Sequence, residues 1–230
     1  MSFNFEERLA ESPLVESIWR TRSEGLGGSA FISQAVSHWE IVITKQQGNI
    51  SLTLRGPETL ATTAPVPAEA EFVGIQFKPG SFMPHLPNFR LVDNSLNLPQ
   101  ASSKAFWLAG SAWQFPDYEN ADTFVDRLVR AGLVAQDEQV AAAIQGHLPK
   151  ELSLRSLQRR FLRATGLTQT TLYQIERARQ AATLLEQGCS ILDTVEQVGY
   201  SDQPHLTRAL HRFIGQTPAQ LLRLPHNHSR

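Results

Sequence analysis

Between residues 49 and 55 apolar and polar positions alternate strictly. Ile50, Leu52 and Leu54 fall on one side, Ser51, Thr53 and Arg55 on the other. A period of two predicts a half-buried strand. SAFISQAV (29–36), HWEIVITK (38–45) and EFVGIQFK (71–78) are short apolar runs rich in β-branched and aromatic residues and are read as further strands. Gln46-Gln47-Gly48-Asn49 has the chemistry of a hairpin turn, while Gly56-Pro57 and Pro79-Gly80 end the strands before them. Several short strands with regular turn signals point to a small barrel or sandwich rather than to a βαβ sheet. Prolines at 57, 65, 67, 79, 84, 87 and 99 make that region loop-rich.

The period then changes. In 120–133, Phe124, Leu128 and Ala131 recur at helical spacing, with Asn120 or Asp122 able to cap the start and Gly132 to end it. From there to about residue 224 the pattern is helical. LSLRSLQRRFLRATG (152–166) has Ser153 as a natural N-cap, Leu157 and Phe161 on a buried stripe, and Gly166 as a stop. TLYQIERARQAATLLEQG (171–188) turns Ile175, Ala178, Ala182 and Leu185 inward. ILDTVEQVG (191–199) is a short helix closed by Gly199. DQPHLTRALHRFIG (202–215) follows, with Asp202 as cap, Pro204 in the first turn, and Leu206, Leu210 and Phe213 as its apolar stripe.

Composition adds class limits. Of 230 residues, 41% are apolar and 19% charged, enough for a packed core and too little charge for a disordered chain. One cysteine, Cys189, allows no internal disulfide, and the start MSFNFEERLAESPL is acidic where a secretory signal would be basic. With no apolar run of about 18 residues, the chain is expected to be cytoplasmic, with no membrane partner. The near-neutral net charge of −1 conceals an asymmetry. Up to Ala131 there are 10 Lys+Arg against 14 Asp+Glu; beyond it, 11 against 8, together with five of the seven histidines. An acidic half and a basic half suggest modules with different partners.

The basic half carries the strongest signal. Arg155, Arg159 and Arg163 step by four along one helix, flanked by Arg160, with no acid between them. A solvated helix face normally mixes signs to gain i,i+4 pairs; this one repels itself unless an anion is near. Further on, a short helix, a tight turn and a second helix with amide and basic groups on its outer face follow the logic of helix-turn-helix DNA readers. A plain bundle with basic surface helices fits the same patterning.

Three blocks in this half resemble the AraC/XylS-type transcription regulators: S-L-R-S-L-Q-R-R-F-L-R-A-T-G (153–166), Ile175-x-Arg177-Ala178-Arg179 followed by Ala182 and Leu184-Leu185, and residues 191–218, with Gly199-Tyr200, Arg208 and Gly215-x-x-Pro218. The resemblance implies two helix-turn-helix units joined by one long helix. Three positions depart from the family pattern. Val195 stands where an alanine is usual, Leu210 where a phenylalanine is usual, and only 137–152 is available as a scaffold for the first unit, which is therefore expected to be abbreviated, with Val140 and Ile144 inward. SHWEIVIT (37–44), LTLRGPET (52–59), 72–87 and 106–124 are similar to the β-rich sensor domains of such regulators. The expected fold is therefore α+β: a small cupin-like β-barrel, residues 1–133, then an all-α double helix-turn-helix domain, 134–230.

This implies roles for named residues. Base edges would be read by Arg155, Gln158 and Arg159 on the first recognition helix, and by Gln203, Pro204, Thr207 and Arg208 on the second, since Arg bridges guanine O6/N7 and Gln adenine N6/N7. Arg160, Arg163, Arg177, Arg179, His205, His211 and Arg212 would meet phosphates or form structural ion pairs, Arg177 with Glu176 or Glu196. Trp39 and Trp113 are the first candidates for an effector pocket, although aromatic residues more often fill a small barrel's core. His38 and His85 are too few for a cupin metal centre, and no G-x-S-x-G elbow supports a serine nucleophile. No metal, cofactor or catalytic residue is expected. The partners expected are double-stranded DNA and, as open alternatives, a small-molecule effector and a homodimer. The competing class is a cupin-like enzyme or ligand-binding protein whose helical tail serves packing or dimerisation.

Overall fold

The computed structural model describes residues 3–23, 30–147 and 153–223. The chain is α+β, strands first and helices after. The strands are β1 (Phe3–Leu9), β2 (Val15–Ser23), β3 (Ala30–Ser33), β4 (Glu40–Gln46), β5 (Asn49–Arg55), β6 (Thr62–Pro65), β7 (Ala70–Phe77), β8 (Ser81–Phe82), β9 (Ser95–Asn97), β10 (Gln100–Ser102), β11 (Ala105–Leu108), β12 (Ser111–Gln114) and β13 (Ala135–Gln136). The helices are α1 (Ala121–Arg130), α2 (Glu138–Ile144), α3 (Leu154–Thr165), α4 (Gln169–Glu186), α5 (Ile191–Val198), α6 (Gln203–Phe213) and α7 (Pro218–Leu221).

Packing divides the chain into two compact units. One holds Met1–Ser29, His38–Pro57 and Pro65–Thr168; the other holds Ala30–Ser37, Glu58–Ala64 and Gln169–Arg230. This cut does not follow residue 133. α2 and α3 pack with the β structure, and two pieces of the amino-terminal half pack with the later helices.

The first unit is built on a six-stranded antiparallel sheet in the order β1-β2-β7-β4-β5-β9. Alternation in β5 behaves as its sequence requires, with Leu52 and Leu54 buried and Ser51 exposed. β4 and β5 pair from Gln46↔Asn49 onward. Both turn residues, Gln47 (φ 49°) and Gly48 (φ 77°), are left-handed, matching the twist of a two-residue hairpin. β1, β2, β6 and β8–β13 are additional to the expected strands; β1 hides behind its charges (FNFEERL) because it is a sheet edge. Ile18, Ile41, Ile43, Ile75 and Phe77 cover the inner face of the sheet, where they meet Phe106 from β11 and Phe124, Val125 and Leu128 from α1. Full burial of each aliphatic side chain contributes about 1.5–3 kcal/mol.

α1 starts where expected, but its capping differs. The Asn120 side chain accepts from the Asp117 N–H rather than from the helix. Asp122 accepts from Arg8 Nη1 at 2.6 Å and from the Glu11 N–H at 2.9 Å, tying α1 to β1 and the segment after it. Ala131, expected inward, is exposed, and Val125 is buried in its stead.

Candidate nucleic-acid interface

In the second unit, α4 buries Leu172, Ile175, Ala178, Ala181, Ala182 and Leu185, the stripe its sequence spells. α5 begins at Ser190, whose hydroxyl accepts the Asp193 N–H at 3.1 Å, and stops at Gly199, where φ of 74° suits a residue without Cβ. Only Gly199–Asp202 separate α5 from α6. Val195, the departure from the family pattern, is half-buried, and Thr194 is the fully buried residue beside it. The Asp202 carboxylate accepts the His205 N–H at 2.6 Å. Leu206, Leu210 and Phe213 are buried, so the opposite face of α6 is turned outward.

On that outer face stand Gln203, Pro204, Arg208, His211 and Arg212. Among the described residues, the side chains of Gln203 and Arg208 have no hydrogen-bond or ion-pair partner. Thr207 is half-buried and its hydroxyl donates to the Gln203 carbonyl at 2.9 Å, so the hydroxyl is occupied within the helix. His205 turns back toward the turn: its ring meets Tyr200 edge-on at 5.0 Å, and Nδ1 lies 3.1 Å from the Ser201 hydroxyl.

Other residues expected at phosphates are engaged by the protein. The Arg177 guanidinium lies 4.2 Å from the centre of the Tyr200 ring, and it pairs with neither Glu176 nor Glu196 among the described residues. Arg179 donates to the Ala35 carbonyl at 3.4 Å, and Glu176 accepts from the Ser37 hydroxyl at 2.6 Å. Burial raises the Tyr200 hydroxyl above its ordinary pKa, opposed by the Arg177 charge.

The segments 30–37 and 58–64 were absent from the sequence-based picture of this region. The Ala35 N–H donates to the Phe213 carbonyl at 2.7 Å and the Ala61 N–H to the Arg212 carbonyl at 2.9 Å. Carbonyls at the C-terminal end of α6 are thereby satisfied from far upstream. A Cβ on Gly215 would press on Ile32 and Ala61, so the glycine admits that chain. Backbone donors of this kind leave no side-chain signature in a sequence.

In the first unit, α3 is capped by Ser153, which accepts the Ser156 N–H at 3.2 Å, and ends at Gly166 with φ of 78°. Leu157, Phe161, Ala164 and Thr165 are buried. The buried Asn88 amide donates to the Ala164 carbonyl at 2.7 Å and to the Ser81 carbonyl at 3.1 Å, fixing the end of the helix. α2 is the abbreviated scaffold expected; Val140 and Ala143 are its buried residues, whereas Ile144 is half-exposed. Residues 145–153 separate α2 from α3, against Gly199–Asp202 in the second unit, and 148–152 lie outside the described residues.

The arginines of α3 divide in two. Arg160 pairs with Asp137, the N-cap of α2, at 3.1 Å, and Arg163 lies 5.6 Å from the centre of the Phe82 ring. Arg155, Gln158 and Arg159 are exposed, with no partner among the described residues. Arg159, Arg160 and Arg163 border an open depression of about 510 Å³ with Phe89, Ser156 and Leu162.

Of the effector candidates, Trp39 fills the core of the first unit. It is 1% exposed, stacks on Phe77 at 3.9 Å and donates from Nε1 to the Ser81 carbonyl at 2.8 Å, so ring and N–H are both used. Trp113 is partly buried against Phe124 and Arg127, and its Nε1 is a buried donor without a partner. Cys189 is half-buried. Among the described residues, no three His, Cys, Asp or Glu side chains are placed to hold a metal ion, and no helix is long and apolar enough to cross a membrane.

Residues 151–224 match the helix-turn-helix domain family. Over 78 residues the chain is 38% identical to the HTH-type transcriptional regulator RipA of Corynebacterium glutamicum; that stretch is 34% of this chain and 22% of RipA. The chain thus spans about a fifth of the length of that curated relative. Two crystal structures of ToxT from Vibrio cholerae are similar over 95% of this chain at 9% identity. One has a TM-score of 0.40 and is covered to 97%; the other, of ToxT bound to (E)-4-(8-methylnaphthalen-1-yl)but-3-enoic acid, has a TM-score of 0.39 and is covered to 98%.

Proposed function

We propose that the protein, whose residues 151–224 match a helix-turn-helix domain family, is a sequence-specific, DNA-binding transcription regulator of the AraC type acting in the cytoplasm, not an enzyme. The division of labour follows the expected line: residues 1–133 sense a small-molecule effector and residues 134–230 bind double-stranded DNA. It is a division of function and not of packing.

The carrying observation is the outer face of α6. A capped helix, seated by three buried residues, presents Gln203, Pro204 and Arg208 with no partner of their own. Arg208 suits guanine and Gln203 suits adenine in the major groove, and Thr207 offers its methyl group to thymine. Arg155, Gln158 and Arg159 are the matching set on α3. His211, Arg212 and Arg163 supply phosphate contacts, whose released counterions make affinity fall with salt. Arg160 and Arg179 are better read as structural, since each is already engaged within its own unit, and Arg177 is held beside the Tyr200 ring. Trp113, with its unpartnered N–H, replaces Trp39 as the residue to test for effector contact. A homodimer reading two half-sites suits the same reading.

The test is a selection of bound fragments from a genomic DNA pool, followed by gel-shift titration of the winners at several salt concentrations. Retention that falls steeply with salt, with one sequence preferred, is expected. No retention even at low salt would remove the proposal.

A further inference from the structure

In the second unit, α4, the turn after α5 and α6 enclose a pocket of about 160 Å³ bordered by Gln174, Arg177, Tyr200, His205, Arg208 and Arg212. We propose that this pocket is a binding site for a phosphate-type oxyanion.

Charge is the first argument. Three guanidinium groups border the space and no carboxylate does. Elsewhere in the chain arginines that lie close to acids are paired with them: Arg8 with Asp122, Arg20 with Glu6, Arg160 with Asp137. Among the described residues, Arg177, Arg208 and Arg212 have no such partner. Like charges brought together around a small, partly desolvated space repel unless an anion enters it.

Unused donors are the second argument. Arg177 Nε is buried and has no hydrogen-bond partner among the described residues, and Tyr200, 5% exposed, has only the neighbouring Arg177 guanidinium to set against its hydroxyl. Buried polar groups are nearly always satisfied, so an orphan guanidinium N–H beside an under-satisfied hydroxyl at one pocket calls for an explanation. The Arg177 guanidinium carbon lies 4.2 Å from the centre of the Tyr200 ring, and this residue forms the inner wall. Arg208 and Arg212 are exposed on α6 and can close over an occupant.

Charge and size select the ligand class. A carboxylate would offset one of three cations, whereas a phosphate group carries up to two charges and presents its oxygens to several forked donors at once. The pocket has the volume of roughly five waters at about 30 Å³ each, enough for a phosphate group with some hydration and too small for an attached base.

Two sources share this chemistry: a backbone phosphate of bound DNA and a free phosphate compound. The first rests on the DNA-binding reading; the pocket itself does not. The test titrates inorganic phosphate into the full chain by calorimetry, with chloride adjusted to hold ionic strength constant. Saturable one-site binding at about 1 mM or tighter is expected, weakened at least about tenfold by Arg177→Gln and, separately, by Arg212→Gln. Thermal melts establish that each variant is folded; Arg212 is exposed, so its variant serves if Arg177→Gln unfolds. The phosphate titration is then repeated on the protein–DNA complex. Loss of phosphate binding there, with the salt slope for DNA lowered by about one in Arg177→Gln, assigns the pocket to a DNA phosphate. Undiminished binding with an unchanged slope assigns it to a free phosphate compound. Absence of saturable phosphate binding by the wild type, or binding that neither variant weakens, overturns the proposal. A wild type that binds phosphate but retains no DNA removes the regulator reading and leaves the pocket standing.

Discussion

Asp202 sets the first turn of α6, and replacing it separates the seating of the reading helix from its charge. Its carboxylate accepts the His205 N–H at 2.6 Å, one of the four donors that a helix start leaves unsatisfied. Asp202→Ala removes this acceptor, at about 1 kcal/mol (range 0.5–2). It also removes a negative charge from the positive end of the helix, at about 0.3–1 kcal/mol. The sum, about 1.5 kcal/mol, falls on the turn that carries Gln203 and Pro204, and 1.4 kcal/mol is a factor of about ten in an equilibrium constant. Asp202→Asn keeps an oxygen for the His205 N–H and loses the charge alone. Both variants remove an acid from the helix proposed to face DNA, so both should bind scrambled duplex somewhat more tightly. The ratio of selected to scrambled affinity should fall by up to about tenfold in Asp202→Ala and stay near wild type in Asp202→Asn. Fluorescence anisotropy at fixed salt measures both duplexes, and hydrogen exchange at the His205 amide reports the cap directly. Equal loss of the ratio in both variants would show that charge, not capping, is what matters there. No loss in either would show that α6 does not read bases with its first turn.

Gln203→Ala and Arg208→Ala should each relax base preference by about 1–3 kcal/mol at one half-site, while Arg155→Ala should mainly lower affinity for all sequences; binding selections on the single variants decide between these patterns. Gly56→Ala should destabilise the first unit by about 1–3 kcal/mol, because the added Cβ would overlap the Leu91 backbone carbonyl, which cannot swing aside; urea denaturation followed by tryptophan fluorescence measures it. Burial holds the Tyr200 hydroxyl above its ordinary value of 10.0. The unfolded chain therefore ionises first, so stability is full below pH 10 and declines as pH rises past 10 toward the folded value. Tyr200→Phe should lessen that alkaline decline, as read from melting temperatures across a pH series.

What could be read from the sequence was what local chemistry controls. Ser153 and Gly166 bound α3, Gly199 closes α5, and Asp202 starts α6 by hydrogen bonds spanning three or four residues, each written into adjacent positions. Roles set by distant partners were not legible. Arg159 and Arg160 are neighbours in one basic run, yet Asp137 engages only Arg160. Arg177 was expected at a phosphate and Arg208 at a base edge, and only the structure shows that the Tyr200 ring holds Arg177 while Arg208 stays outward. Trp39 reads as a pocket aromatic until Phe77 and the Ser81 carbonyl, both beyond residue 70, enclose it. The end of α6 is met by donors from Ala35 and Ala61, more than a hundred residues upstream and through backbone atoms alone. Sequence therefore places the helix proposed to face DNA more securely than it identifies which cations on it are free. On α3 and α6 the exposed arginines with no partner among the described residues are Arg155 and Arg159 on α3 and Arg208 on α6. Free side chains can reach a base edge without breaking a contact, so specificity should concentrate in Arg159 and Arg208 together with Gln158 and Gln203, with Arg155 adding mainly general affinity, whereas replacing Arg160 should act through the seating of α3 on α2.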